Sequence, residues 1–300
     1  MKNKEFLAYL TALGAAFFWG FSFVWFKIAN LAYKPISIIF IRLIISSVLI
    51  LIIAHGLKRL QKPSVKDFKL FVLMAFFEPF LYFMGESHGL TYVSSTVAAV
   101  IVATIPLLSP IAAWYFFREK VTWKNVAGFA LSFVGVALVV LSGSFRFDAP
   151  PIGIALEFLA VFSAIAYSIV LRKLVFRYNT FTIIAYQNLI GIFFFLPFWL
   201  IFDLKEFLAT PFHPQAFRAI LLLAVFASTL AFMLFTQSIR KIGVNRSNTF
   251  VNIIPVFVAV LSFFVLNEEL GFQKIIGIIV VIAGLFLAQT RRRKTQVEGV

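Results

Sequence analysis

The chain of 300 residues contains no cysteine, which excludes disulfides and thiolate metal sites. Charge is scarce: Asp, Glu, Lys and Arg make up 13% of the chain, and only 12 of them are acidic. No hydrophilic stretch is long enough for a second folded domain. The three histidines, His55, His88 and His213, have no metal-ligand spacing. A GxxxxGK[ST] phosphate loop is missing, so primary ATP-driven pumping has no support. There is also no HxxxxD-like pair and no nucleophile beside a base. An integral-membrane enzyme acting on a lipid-linked group, the main alternative class, therefore lacks its chemistry. The repeated polar rings of a channel or passive facilitator are lacking too. The expectation is a protein that is not an enzyme and has neither metal nor cofactor.

What is present is apolar bulk: 62% hydrophobic residues, 40 of them Phe, with a mean hydropathy of +0.98. A soluble chain of this length has no interior large enough for that surface, so the sequence reads as a polytopic membrane protein in contact with the lipid bilayer. The net charge of +15 invites a nucleic-acid reading. The charges, however, sit in short loops between apolar spans, where they set topology, and no nucleic-acid partner is expected. The N-terminal MKNKEFLAYLTALGAAFF has too long an apolar run and no small-residue cleavage site before Lys27, so it reads as an uncleaved first span.

The length rule marks ten spans, approximately 6–29, 35–56, 68–90, 93–117, 122–142, 151–172, 180–203, 216–239, 243–266 and 270–290. Lys34-Pro35, Lys62-Pro63, Ser142-Gly143, Pro150-Pro151 and Pro211 punctuate them. With the N-terminus cytoplasmic, 20 Lys and Arg fall on the inner side and 6 on the outer, with Arg42 inside a span. This bias favours ten spans with both termini cytoplasmic. The tail cluster Arg291-Arg292-Arg293-Lys294 is then a stop-transfer signal and an anionic-lipid contact.

The halves read as copies. Pro106, Glu119, Gly128 and Gly135 match Pro255, Glu268, Gly277 and Gly284 at an offset of 149. Phe77, Phe83 and Met84 match Phe226, Phe232 and Met233 at the same offset. Earlier in each half the offset is 145, pairing Lys27 with Arg172 and Arg42 with Gln187. Five spans per copy is odd, so the second copy enters the membrane inverted. The expected domains are 1–143 and 150–290, followed by a basic cytoplasmic tail at 291–300.

The two P…E…G…G blocks, Pro106–Gly135 and Pro255–Gly284, carry a family likeness. So do AAFFWGFSFVWFK with Trp19, Gly20, Ser22 and Lys27, and the Phe40-Ile41-Arg42 step. In these residues the chain resembles the drug/metabolite transporter superfamily, in its EamA-like branch of ten-helix carriers. The resemblance implies an all-α integral membrane fold, with ten transmembrane helices in two inverted five-helix repeats around a central cavity. It further implies a secondary active transporter working by alternating access in the cell inner membrane. The substrates implied are small metabolites such as amino acids, their derivatives or nucleobases, often exported. A monomer is the default for a self-contained carrier of this size.

Residues 71–90, FVLMAFFEPFLYFMGESHGL, hold two carboxylates in an apolar span, and such acids are costly and mark function. Glu78, Tyr82 and Glu86 are four apart and form one helical ridge. Pro79 should kink the helix, while Gly85 and Gly89 offer a smooth face to a neighbour. At 1.5 Å per residue, Arg42 lies about 10 Å below the outer end, between Glu86 at about 6 Å and Glu78 at about 18 Å. This suggests an Arg42–Glu pair when empty, exchanged for an anionic substrate group when loaded. A carboxyl group in apolar surroundings also accepts a proton readily, so Glu78 and Glu86 are the proton-coupling candidates. At offset 149 they correspond to Ala227 and Phe235, and His88 to Gln237, so the polar groups favour the first copy.

The remaining candidates for the substrate cavity are Trp19 and Ser22, with Gln187 at the Arg42-equivalent position and Asn252. Trp19 and Tyr82 would stack on a substrate or hold an ammonium group. Asn188 and Asn248 are further mid-membrane amides. Glu157, near the outer end of its span, is expected to reach water. Glu119 and Glu268 read as acids at the N-termini of the spans they precede. Gly128, Gly135, Gly277 and Gly284 should pack spans five and ten closely.

Overall fold

The structure is a computed structural model describing residues 2–109, 123–140, 150–243, 247 and 250–289. Glu119, Asn248, Ser142-Gly143 and the Arg291–Lys294 cluster lie outside the described residues.

Every regular element among the described residues is a helix. In order the helices are α1 (Lys2–Ala29), α2 (Pro35–Gly56), α3 (Val65–Tyr92), α4 (Ser95–Ser109), α5 (Trp123–Val140), α6 (Pro151–Leu174), α7 (Thr180–Ala209), α8 (Pro214–Ile242), α9 (Phe250–Leu266) and α10 (Phe272–Gln289). Six of these have the length and apolarity to cross a membrane: α1 from Phe6 onward, α2, α3, α6, α7 and α8. The described parts of α4, α5, α9 and α10 contain shorter apolar segments.

Starts and stops follow local chemistry. Pro35, Pro151 and Pro214 open α2, α6 and α8, where a missing N–H leaves no hydrogen bond unmade. Ser64, Ser94 and Asn179 cap α3, α4 and α7 by accepting from the backbone N–H three residues on. The expected kink in α3 is present: Phe76–Leu81 forms a π-turn, and Glu78, before Pro79, is extended at φ −146° and ψ 117°. A second π-turn, Leu223–Ala231 in α8, occupies the equivalent stretch and has no proline. There the counterpart of Pro79 is Ser228 (228 − 79 = 149). The helix is thus irregular at the equivalent place in both halves.

Glycines set the closest helix contacts. A Cβ on Gly85 would meet the Leu156 carbonyl oxygen at 2.5 Å and the Ala160 nitrogen at 2.8 Å, so α3 and α6 touch backbone to backbone. Helices α5 and α10 do the same. A Cβ on Gly135 would meet the Gly277 carbonyl oxygen at 2.8 Å, and one on Gly284 would meet that of Gly128 at 2.8 Å. These contacts are reciprocal under the 149 offset: 128 pairs with 284, and 135 with 277. Ser132 donates to the Val281 carbonyl at 3.0 Å, and Ser132 and Val281 are themselves equivalent positions. Self-pairing of one surface is what a two-fold arrangement requires.

The N-terminus of each α2-type helix is tied to the other helix through equivalent positions, Ser37 and Thr182, with the hydrogen bonds running in opposite senses. Ser37 on α2 donates from its N–H and hydroxyl to Asp203, at 2.9 and 3.0 Å, just past the long part of α7. Thr182 on α7, at offset 145 from Ser37, accepts from the Gln61 N–H at 2.9 Å, just past α2.

Candidate functional site

Between α1, α2, α3, α4, α6, α8 and α9 lies a cavity with about 60 Å³ open to the centres of water-sized bodies. A single water needs roughly 10–15 Å³ on that measure, so the space is of small-molecule scale. Most of its wall is built from equivalent positions of the two halves: Trp19 is the counterpart of Ala164, Ser22 of Tyr167 and Phe23 of Ser168, all at offset 145. Phe83 pairs in the same sense with Phe232, Glu86 with Phe235, Val102 with Val251 and Ile105 with Ile254, all at offset 149. Three lining residues have no lining counterpart, and all three are polar: Arg42, Glu78 and Tyr82. The cavity is therefore a nearly symmetric shell with its polar groups concentrated on the first half.

Arg42 is 3% exposed. Its Nε donates to the Ser228 hydroxyl at 2.8 Å, and its guanidinium carbon lies 4.1 Å from the centre of the Phe83 ring. Both contacts offset the loss of water around the charge. The expected Arg42–Glu ion pair is absent among the described residues, where the ion pairs are Lys34–Glu206 and Arg177–Asp67. The reason is local: Ser228 and the Phe83 face hold the guanidinium, while Tyr82 donates its hydroxyl proton to Glu86 at 2.8 Å. Glu78, Tyr82 and Glu86 share the cavity as the ridge predicts, although the π-turn takes Glu78 out of the regular helix.

Trp19 lies edge-on to Phe232 and Phe235, with centroids 5.3 and 4.9 Å away, so it packs as well as lines. Ser22 donates to its own helix, at the Trp19 carbonyl. Two expected residues stand behind the wall. Gln187 accepts from the Tyr167 hydroxyl at 3.0 Å. Asn252 lies in the turn Phe250–Ile253 beside the lining residues Val251 and Ile254, with its Oδ1 buried and unpartnered. Asn188 is structural: its amide donates to Ser46, whose hydroxyl bonds to that of Thr229, which donates to the Ala224 carbonyl.

This geometry, a small two-sided cavity in a bundle of apolar helices, meets a direct comparison. The model of the EamA-like transporter family matches residues 6–141 and again residues 151–290. The chain belongs to this family. Over 278 residues it is 26% identical to an uncharacterized transporter of Archaeoglobus fulgidus, covering 92% of this chain and 95% of that one. It is 27% identical to the uncharacterized transporter YetK of Bacillus subtilis, covering 85% and 78%. It is 24% identical to a protein of Streptantibioticus cattleyicolor named "Probable terminal-alkyne amino-acid exporter", covering 94% of each. A crystal structure at 16% identity matches with a TM-score of 0.70, covering 94% of this chain and 96% of the other, and shows the shared fold. This EamA-like chain is accordingly a multi-pass membrane transporter for small molecules, and the names of its relatives point away from catalysis.

The structure corrects two expectations for this EamA-like protein. Glu157 does not reach water: it is 0% exposed, and neither carboxyl oxygen has a hydrogen-bond partner among the described residues. Helix α3 covers it, because Gly89 lets the backbone close over the carboxyl group. Glu268 does not cap the helix it precedes. It accepts from the Ser95 and Thr96 N–H groups at 2.8 and 3.3 Å and from the Thr96 hydroxyl at 2.9 Å, so it caps α4 in the other half. The loop before α10 folds over that helix end, and an acid binds the exposed N–H groups it meets there.

Sequence reasoning missed Tyr167, Ser168, Phe83 and Ser228. A signal was available for Tyr167, the repeat counterpart of the candidate Ser22, whereas Ser168, Phe83 and Ser228 are counterparts of Phe23, Phe232 and Pro79, none of them a cavity candidate.

Proposed function

We propose that the chain is a secondary active transporter that moves amino acids or closely related organic compounds by alternating access, in the export direction. The observation that carries this reading is the asymmetric polarity of the cavity. Arg42 offers a cation for a carboxylate, Glu78 and Glu86 offer anions for an ammonium group, and Trp19 and Phe83 offer rings for an apolar side chain. A zwitterion presents all three features at once. The name of the Streptantibioticus relative agrees with this class.

The architecture proposed is ten transmembrane helices in two inverted repeats, 1–143 and 150–290, with a basic tail at 291–300. Both termini are cytoplasmic, and the protein is a monomer in the inner membrane. The self-paired α5–α10 contact, the matched π-turns and the matched ties at Ser37 and Thr182 support it. Inverted halves provide two near-equivalent arrangements, which alternating access requires.

Proton coupling is assigned to Glu78 and Glu86. The test is counterflow and efflux in proteoliposomes, screening amino acids and nucleobases with and without an imposed proton gradient. Saturable movement of one class is expected, and Glu78→Gln or Glu86→Gln should uncouple it from the gradient. Full gradient dependence in both variants would remove these acids from the coupling step. If nothing in the panel moves, the amino-acid assignment fails.

A further inference from the structure

Glu157 is the buried acid that the proposed cycle leaves unused. It sits on α6, fully covered, with both carboxyl oxygens unpartnered among the described residues. Its recess is made by a missing side chain: a Cβ at Gly89 would lie 2.5 Å from Glu157 Oε1 and 2.9 Å from its Cδ. An ionised carboxylate has no compensation there, whereas the neutral acid loses only hydrogen bonds to water. The recess therefore suits the neutral acid.

Its surroundings make that proton conditional. Glu86 and Tyr82 on α3 and Lys27 on α1 are the titratable groups near enough to act on it electrostatically. Helix α4, which also packs on α6, has no charged side chain in Ser95–Ser109. Lys27 is engaged elsewhere: its ammonium group donates to the Val93 carbonyl at 2.7 Å, in the junction between α3 and α4. Glu268 holds the same junction from its other side, through Ser95 and Thr96. Glu157 thus lies between the acid end of the cavity and the clasp that closes the α3–α4 corner.

We propose that Glu157 is a proton-binding site that is loaded while the α3–α4 junction is clasped and discharged when the junction opens. On discharge its O–H bond breaks, the proton passes to water admitted by the opening, and the released Lys27 ammonium neutralises the carboxylate. Opening of the junction rests on the carrier reading, but the proton site is observable without transport.

The experiment is infrared difference spectroscopy of the purified protein in lipid nanodiscs across a pH series. In a Glu78→Gln/Glu86→Gln background, which removes the carboxyl groups of the coupling acids, the carbonyl stretch of a protonated carboxylic acid should persist to alkaline pH and disappear when Glu157→Gln is added. Lys27→Met removes the countercharge and should carry the band about one pH unit higher. Glu268→Gln loosens the clasp and should make the band fade at lower pH. These two variants keep Glu157, so they decide the matter even if Glu157→Gln does not fold. A band that survives Glu157→Gln in that background shows that Glu157 is not its source, and a Glu157 band that neither clasp variant moves marks a fixed structural acid; either result overturns the proposal. If the band behaves as expected while no substrate is transported, the substrate assignment fails and the proton site stands.

Discussion

Arg42 brings a charge into the apolar layer and is held there by one hydroxyl and one ring face rather than by a carboxylate. Truncating Ser228 to Ala leaves the buried Nε–H without its acceptor, a loss of about 1.5–3 kcal/mol for a hydrogen bond to a charged group. Ser228→Ala should lower the thermal unfolding midpoint and weaken substrate affinity together. Arg42→Lys keeps the charge but loses the planar fork that lies on Phe83 while donating to Ser228. We expect the lysine variant to remain folded and to bind a zwitterion poorly. Transport by Arg42→Lys at wild-type affinity would show that a point charge suffices and that guanidinium geometry is irrelevant.

The contact between α3 and α6 depends on glycine because backbone, not side chain, lies opposite. Gly85→Ala forces a methyl group against the Leu156 carbonyl and the Ala160 nitrogen. Neither is the movable end of a side chain, so the helices must separate, at about 1–3 kcal/mol. Gly56 has nothing within 4 Å of its Cβ position, and Gly56→Ala should be neutral or slightly stabilising. Comparing the two by thermal unfolding in detergent separates packing from helix propensity. Equal effects would mean that the α3–α6 approach is not tight. Because Glu78, Tyr82 and Glu86 ride on α3, Gly85→Ala should also reduce transport.

At the scale of the molecule, the second half contributes to the closure of the first. Glu268, from the second half, holds the start of α4 in the first with three hydrogen bonds to one carboxylate. Weakening that cap should favour the opened end. The absence of cysteine allows a clean probe: Val93→Cys places one thiol in a position that is 2% exposed. Its labelling by a membrane-impermeant maleimide should be about tenfold faster when Glu268→Gln is added, as a loss near 1.4 kcal/mol in a closed-to-open equilibrium predicts. An unchanged rate would show that the cap stabilises α4 without holding the corner shut.

Several features were settled along the chain itself. Runs of apolar residues set the spans, since a backbone in lipid must satisfy its own hydrogen bonds within a helix. Proline and capping residues set where α2, α3, α6, α7 and α8 begin. The two offsets exposed the repeat, and with it the glycine seam of α5 and α10 and the concentration of acids in the first half. Tertiary structure alone decided the partners. Helical spacing places Glu78, Tyr82 and Glu86 on one ridge, yet it says nothing of which neighbour a residue on another helix will meet. Arg42 therefore found Ser228 and Phe83 instead of a carboxylate, and Glu268 found a helix in the opposite half. Glu157, near a span end and expected in water, was covered because Gly89 let α3 approach. Those outcomes depend on how closely two helices pack and at what rotation, quantities set by the whole bundle and carried by no single stretch of sequence.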